Sequence, residues 1–292
     1  MVSVAELALS SEYKQISTEK YVIPISPTIA LEVYSNTKPC NLKIGGLQKG
    51  LVLVVHGVER VGEGTGFGFP VVMYGKETYF SGSATVYVKQ TPDSTIIRKE
   101  FFMDRIARNR LGHIHLENRQ ARTLIKLLTV FYQKNRRFRY LELKELVIKM
   151  GVQSTFVATP VIGKIPVTYT INSYHTDVEA DFRQLKKQKP KKIFILNEQS
   201  ATFFPRYADS NNASFVGKQV GAWENVTAES AWLTDLKGQI GYHLWNIEDC
   251  VLRRGRETMK NCLDWSGLDY EVDPKKQTLK YSIEILGGAP QE

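Results

Sequence analysis

All four tryptophans of this chain lie between Trp223 and Trp265, and each has a carboxylate within three positions. The neighbours are Glu224 after Trp223, Asp235 after Trp232, Glu248 after Trp245 and Asp264 before Trp265. An indole face suits the apolar C–H face of a sugar ring, and a carboxylate suits its hydroxyl edge. Glycoside hydrolysis sets two carboxyl groups across the scissile bond, as acid and base or as acid and nucleophile. On this pattern Glu224 and Asp264 are the expected acid/base pair, with His243 as a further proton carrier. Trp223, Trp245 and Trp265 are the expected platforms. Arg206 is the expected partner of an acidic sugar or another carboxylate. The implied activity is binding or processing of a carbohydrate or organic acid, as a hydrolase or lyase. The competing tendency is that strand tryptophans fill sheet cores while carboxylates beside them face water.

Charge points to a second reading. The formal net charge is +9, and residues 98–139 account for all of it, with twelve basic and three acidic residues. Within that segment Arg136, Arg137 and Arg139 interleave with Phe138 and Tyr140, after a candidate helix bearing Arg119, Arg122 and Lys126. Cations among aromatics track a phosphate backbone and stack bases, so the alternative is a nucleic-acid-binding or assembly protein. No zinc-finger spacing, ribonucleoprotein motif or heptad-linked basic region accompanies them.

Other chemistries lack their residues. Gly75-Lys76 is followed by Glu77, and Gly62, Gly64, Gly66 and Gly68 miss the dinucleotide spacing, so neither phosphate-loop signature is met. Ser83 has no nucleophile-elbow context. His113 and His115 share one strand face with Glu117 but lack a third histidine at useful spacing. No metal and no cofactor are expected. Cys40, Cys250 and Cys262 form an odd set without paired spacing, which fits a reducing compartment. The first residues do not resemble a secretory leader. No apolar run approaches the ~20 residues that span a bilayer. A cytoplasmic protein with no membrane partner is the expectation.

Positioning those side chains calls for a sheet. In 51–88 an apolar run enters five glycines, which excludes a helix at about 1 kcal/mol each. Strand-like runs follow, with a hairpin turn at Gly75-Lys76 and a second turn at Ser81-Gly82-Ser83. Further strands are expected at 21–25, 29–34, 41–44, 95–102, 193–196, 217–223, 230–233, 239–245 and 279–286, with a hairpin of 156–162 and 165–171 about Gly163-Lys164. Residues 179–192 read as a solvated loop or short helix. The segment 117–135 carries apolar residues at helical spacing. The fold expected is mainly β: a large antiparallel, super-sandwich-like β-sandwich formed by a single domain over 1–292, with a short helical excursion near 117–150 and a candidate helical insertion at 103–153. Two polar stretches, 197–206 and 252–267, look motif-like without matching a known motif.

Overall fold

The computed structural model describes residues 12–35, 46–61, 65–111, 114–116, 123, 152–186, 190–259 and 263–287. The first strands are β1 (Lys14–Gln15), β2 (Lys20–Pro24), β3 (Ile29–Tyr34), β4 (Val52–Val55) and β5 (Val58–Glu59). β2 to β5 form a four-stranded antiparallel sheet. Ile29, Leu31 and Val33 alternate along β3 and are all buried, as a half-covered strand requires. The Ser26 hydroxyl accepts the Thr28 and Ile29 N–H groups and closes the β2–β3 turn. Lys99 anchors this sheet to the rest of the molecule. Its buried ammonium donates to Tyr34 O and Lys49 O, each at 2.8 Å. Burial, with Lys49 nearby, lowers that amine to about 7.

The remaining strands are β6 (Gly66–Tyr74), β7 (Glu77–Gln90), β8 (Thr95–Leu111), β9 (Ile114–Leu116), β10 (Val152–Ala158), β11 (Lys164–Asn172), β12 (His175–Asp181), β13 (Lys192–Gln199) and β14 (Arg206–Asp209). They continue with β15 (Ser214–Val216), β16 (Glu224–Asn225), β17 (Ser230–Thr234), β18 (Gly241–Trp245), β19 (Cys250–Met259), β20 (Leu263–Val272) and β21 (Thr278–Leu286). With β1 they make one 17-stranded sheet among the described residues. The antiparallel path runs β15-β14-β17-β18-β21-β12-β11-β8-β7-β6-β13-β20-β19-β16.

This sheet bends double into a sandwich. The arm β14-β17-β18-β21-β12-β11 faces the arm β6-β13-β20-β19. Tyrosines mark the seam. The Tyr169 hydroxyl donates to Phe67 O at 2.8 Å, and the Tyr281 hydroxyl donates to Asn197 Oδ1 at 2.7 Å. The Tyr242 hydroxyl lies 2.9 Å from Asn197 O and 3.0 Å from Ser266 O. Phe67 meets Tyr242 edge-on at 4.9 Å. Aromatic rings thus supply the apolar core while their hydroxyls satisfy backbone carbonyls in a dry interior. At the far end, one 3-10 turn, Gly217–Val220, links the strands β15 and β16. There Arg254 Nε donates to Val220 O at 2.9 Å, and its guanidinium covers the Tyr207 and Phe215 rings.

Several sequence expectations need correction. Ser81-Gly82-Ser83 is a bulge within β7 and not a turn, because Asp104 accepts the Gly82 N–H and the Ser83 hydroxyl, each at 2.7 Å, and holds the chain on β8. β10 and β11 do not pair as a hairpin. They lie end to end along β8, β10 on 105–111 and β11 on 95–102. Residues 103–111, expected to open a helical insertion, continue β8 as strand. The strand expected at 217–223 begins as the 3-10 turn. The arms of β19 and β20 were not expected as strands at all. The expected strand 41–44, and the helix at 117–135 with its excursion to 150, lie outside the described residues, Thr123 apart.

The sharpest backbone constraint sits at Gly68. Here β6 and β13 lose register between Leu196 and Asn197. Gly68 adopts φ +75°, and a Cβ there would stand 2.6 Å from the Tyr169 hydroxyl. Gly68→Ala therefore meets both a left-handed backbone and a filled core, and we expect it to cost about 2–4 kcal/mol. Gly75→Ala, with φ +56° but open space around it, should cost only about 1–2 kcal/mol. Urea midpoints of the two variants check this; equal losses would contradict it.

Candidate functional site

Alternation along the β17–β18 hairpin sorts its residues cleanly. Ala231, Leu233, Tyr242 and Leu244 point inward and are fully buried. Trp232, His243 and Trp245 therefore point outward together. The turn between them is set by Asp235, whose carboxylate accepts the Gln239 and Ile240 N–H groups. That turn puts Trp232 opposite His243 and Ser230 opposite Trp245. The next strand puts Glu284 opposite His243.

The three rings form one stack. Trp232 lies 4.6 Å from His243 at 14°, and Trp245 lies 4.0 Å from it on a tilt of 44°. His243 Nδ1 is 3.0 Å from Glu284 Oε2. With Nδ1 as the donor, Nε2 is left as an acceptor, and it is buried without a partner. His243 is 7% exposed, whereas Trp245 is 36% exposed. The Tyr270 hydroxyl donates to Trp245 O at 2.5 Å and fixes the end of the strand. Arg206, opposite Thr234 on β14, belongs to this same outer face. Of the expected residues, His243, Trp245 and Arg206 are thus brought onto one surface. Trp232 and Glu284 were not singled out. The i, i+2 spacing of His243 and Trp245 was visible in sequence, but their cross-strand partners depend on register.

The other expected residues gather on the opposite arm and do not meet this face. Trp265 is buried, its Nε1 donating to Glu257 Oε2 at 3.0 Å. Trp223 packs on it at 5.8 Å and on Phe194 at 5.7 Å. Gly255 and Gly267 face each other beneath them, and a Cβ at Gly255 would stand 2.8 Å from the Trp265 ring. Glu224 is exposed opposite Arg254, while Asp264 lies opposite Thr258. Four strand positions separate those two partners, or ~13 Å along β19. Glycosidase carboxyl pairs stand about 5–9.5 Å apart. The Asp264 carboxylate is also occupied, accepting from the Ser200 hydroxyl at 2.6 Å and from Thr202 N and Oγ1 at 2.8 and 2.9 Å.

A different acid pair lies on the adjacent strands β13 and β20 of this second arm. Glu198 and Asp269 are both buried, and both flank Gly267, whose Cβ would stand 2.6 Å from Glu198 and 3.0 Å from Asp269. Burial pushes the Asp269 carboxyl up to about 7, against the pull of its 2.7 Å hydrogen bond from Asn197 N–H. The only sequence signal was the polar run Asn197, Glu198, Gln199 at the end of an apolar strand.

The alternative nucleic-acid residues Arg119, Arg122, Lys126, Arg136, Arg137 and Arg139 lie outside the described residues. Cations of β8 are already engaged: Arg98 with Glu100, Arg105 with Asp104 and Arg108 with Glu77. No helix among the described residues is long and apolar enough to cross a membrane.

The chain matches no family model and no curated protein. Among solved structures it is similar to the Slr1438 protein from Synechocystis sp. PCC 6803, at 10% identity and a TM-score of 0.40, over 94% of this chain and 99% of that one.

Proposed function

We propose that this protein binds a carbohydrate through the outer face of β17, β18 and β21. The observation that carries the reading is the Trp232–His243–Trp245 stack, where a buried His243 Nε2 has no partner. Buried polar atoms in native proteins are nearly always hydrogen-bonded, so an orphan beside partly exposed indoles calls for an explanation. Nε2 has no exposed surface of its own, so a small turn of the exposed Trp245 ring admits a ligand hydroxyl that supplies the missing bond, while the indole offers the apolar platform for the sugar ring. The strands that carry the indoles stay in place, which limits the entropy lost on binding. Binding rather than turnover is the reading, since Glu224 and Asp264 do not flank this face.

Isothermal titration with a panel of oligosaccharides tests it. Trp245→Ala should weaken the ligand that binds best by tenfold or more, about 1.4 kcal/mol. Trp223→Ala, equally exposed but on the opposite arm, should leave affinity unchanged. The reverse pattern would move the site to Trp223 and Trp265 and sink the proposal.

A further inference from the structure

We infer that the carbohydrate is acidic, and that Arg206 reads a ring carboxylate; this rests on the outer face being the saccharide site. The starting point is the state of the arginines. Arg98, Arg105, Arg108, Arg183 and Arg253 each face a carboxylate. Arg60, Arg254 and Arg256 each donate to a backbone carbonyl. Among arginines whose side chains are described, Arg206 is left with neither, although it is half-buried. None of its nitrogens is a buried unpaired atom, so its fork keeps donors open to an acceptor that approaches from outside.

Its place in the sheet makes that acceptor a ligand group. Ala208 stands opposite Trp232, and Arg206, two positions away, stands opposite Thr234. Arg206 and Trp232 are therefore diagonal neighbours on one face, ~7–8 Å apart and within reach of long side chains. The guanidinium is held toward the β17–β18 turn, where a Cβ at Gly238 would stand 3.4 Å from Nη1. Nearby carboxylates are already committed, Asp235 to the turn's N–H groups and Glu284 to His243. Lys237, exposed in the same turn, adds a second positive charge. A flat sugar ring on Trp232 would thus carry its carboxylate into a positive corner, with the next ring of the oligomer toward Trp245. The planar guanidinium fork matches a carboxylate with two parallel hydrogen bonds, which a lysine cannot reproduce. A hexuronate oligomer has both features in one residue.

The test compares oligomers of galacturonate, glucuronate and mannuronate, each with its own methyl ester, by calorimetric titration on the full chain. The ester keeps the ring and removes the charge. At least one acid should bind tenfold or more tightly than its ester. Arg206→Gln should erase that preference by weakening the acid tenfold or more, to the level of its ester, and Arg206→Lys should restore only part of it. Acid and ester binding alike, with Arg206→Gln silent and Trp245→Ala still damaging, would overturn the carboxylate assignment and leave the saccharide face standing. No binding by any acid or ester, together with neutral oligosaccharides unaffected by Trp245→Ala, would overturn both.

Discussion

Asn197→Ala should lower stability by about 3–6 kcal/mol, because three buried groups lose their partner at once. The Asn197 carboxamide accepts the Gly68 N–H at 3.1 Å and the Tyr281 hydroxyl at 2.7 Å, and it donates to Leu268 O at 3.1 Å. These bonds replace the ladder where β6 and β13 slip register, so they hold the bulge that joins both arms. No water replaces them cheaply in a core lined by Tyr169, Tyr242, Phe67 and Leu268, all fully buried. Tyr281→Phe alone should cost about 1–2 kcal/mol, and next to nothing once Asn197 is already alanine. Urea unfolding of the two single variants and the double variant measures that coupling. Additive losses would mean the carboxamide does not organise the seam.

The second large effect has the opposite sign. Asp269→Asn should stabilise the protein above neutral pH. The folded Asp269 carboxyl is raised to about 7 from an ordinary value of 3.8, with burial as the leading cause. Between those values the folded state keeps a proton that the unfolded state releases. Stability from this group is therefore fully present below pH 3.8 and declines as pH rises, until it is gone above about 7. Each unit of displacement corresponds to about 1.4 kcal/mol, so the penalty at pH 8 is on the order of 2–4 kcal/mol. Asparagine keeps an acceptor for the Asn197 N–H while carrying no charge. Its gain over the parent should be near zero at pH 4, grow up to about pH 7 and level off by pH 8. Unfolding midpoints across that range decide it, and a gain independent of pH would contradict the buried-acid account.

Much of the sheet was legible because the strands that form it repeat with a period of two. β3 turns Ile29, Leu31 and Val33 inward, and β21 turns Leu279, Tyr281, Ile283 and Ile285 inward, all buried. β19 and β20 escaped because their outward residues are unusually rich in charge and glycine. Arg253, Gly255 and Glu257 mask the inward Leu252, and Gly267 and Asp269 interrupt the run from Leu268 to Val272. The bulge at Gly82 read as a turn because glycine and serine serve both purposes. What decides between them is Asp104, which is distant in sequence. β10 and β11 read as a hairpin because nothing local reveals that the 17-residue β8 is long enough to take both end to end. The site divides the same way. His243 and Trp245 share a face by simple alternation, whereas Glu284 joins them only through sheet register. Trp223 and Trp265 looked equivalent to Trp245 in sequence, yet they pack over Gly255 and Gly267 on the opposite arm.

The most direct measurement follows the four indole N–H signals in a proton–nitrogen correlation spectrum while oligosaccharide is added. Each tryptophan reports its own surroundings, and the two clusters sit on opposite arms of the sandwich. Saturable shifts of Trp232 and Trp245, with Trp223 and Trp265 unmoved, are the predicted result. Shifts confined to Trp223 and Trp265, or four signals unmoved by every saccharide tried, would contradict a carbohydrate face on β17, β18 and β21.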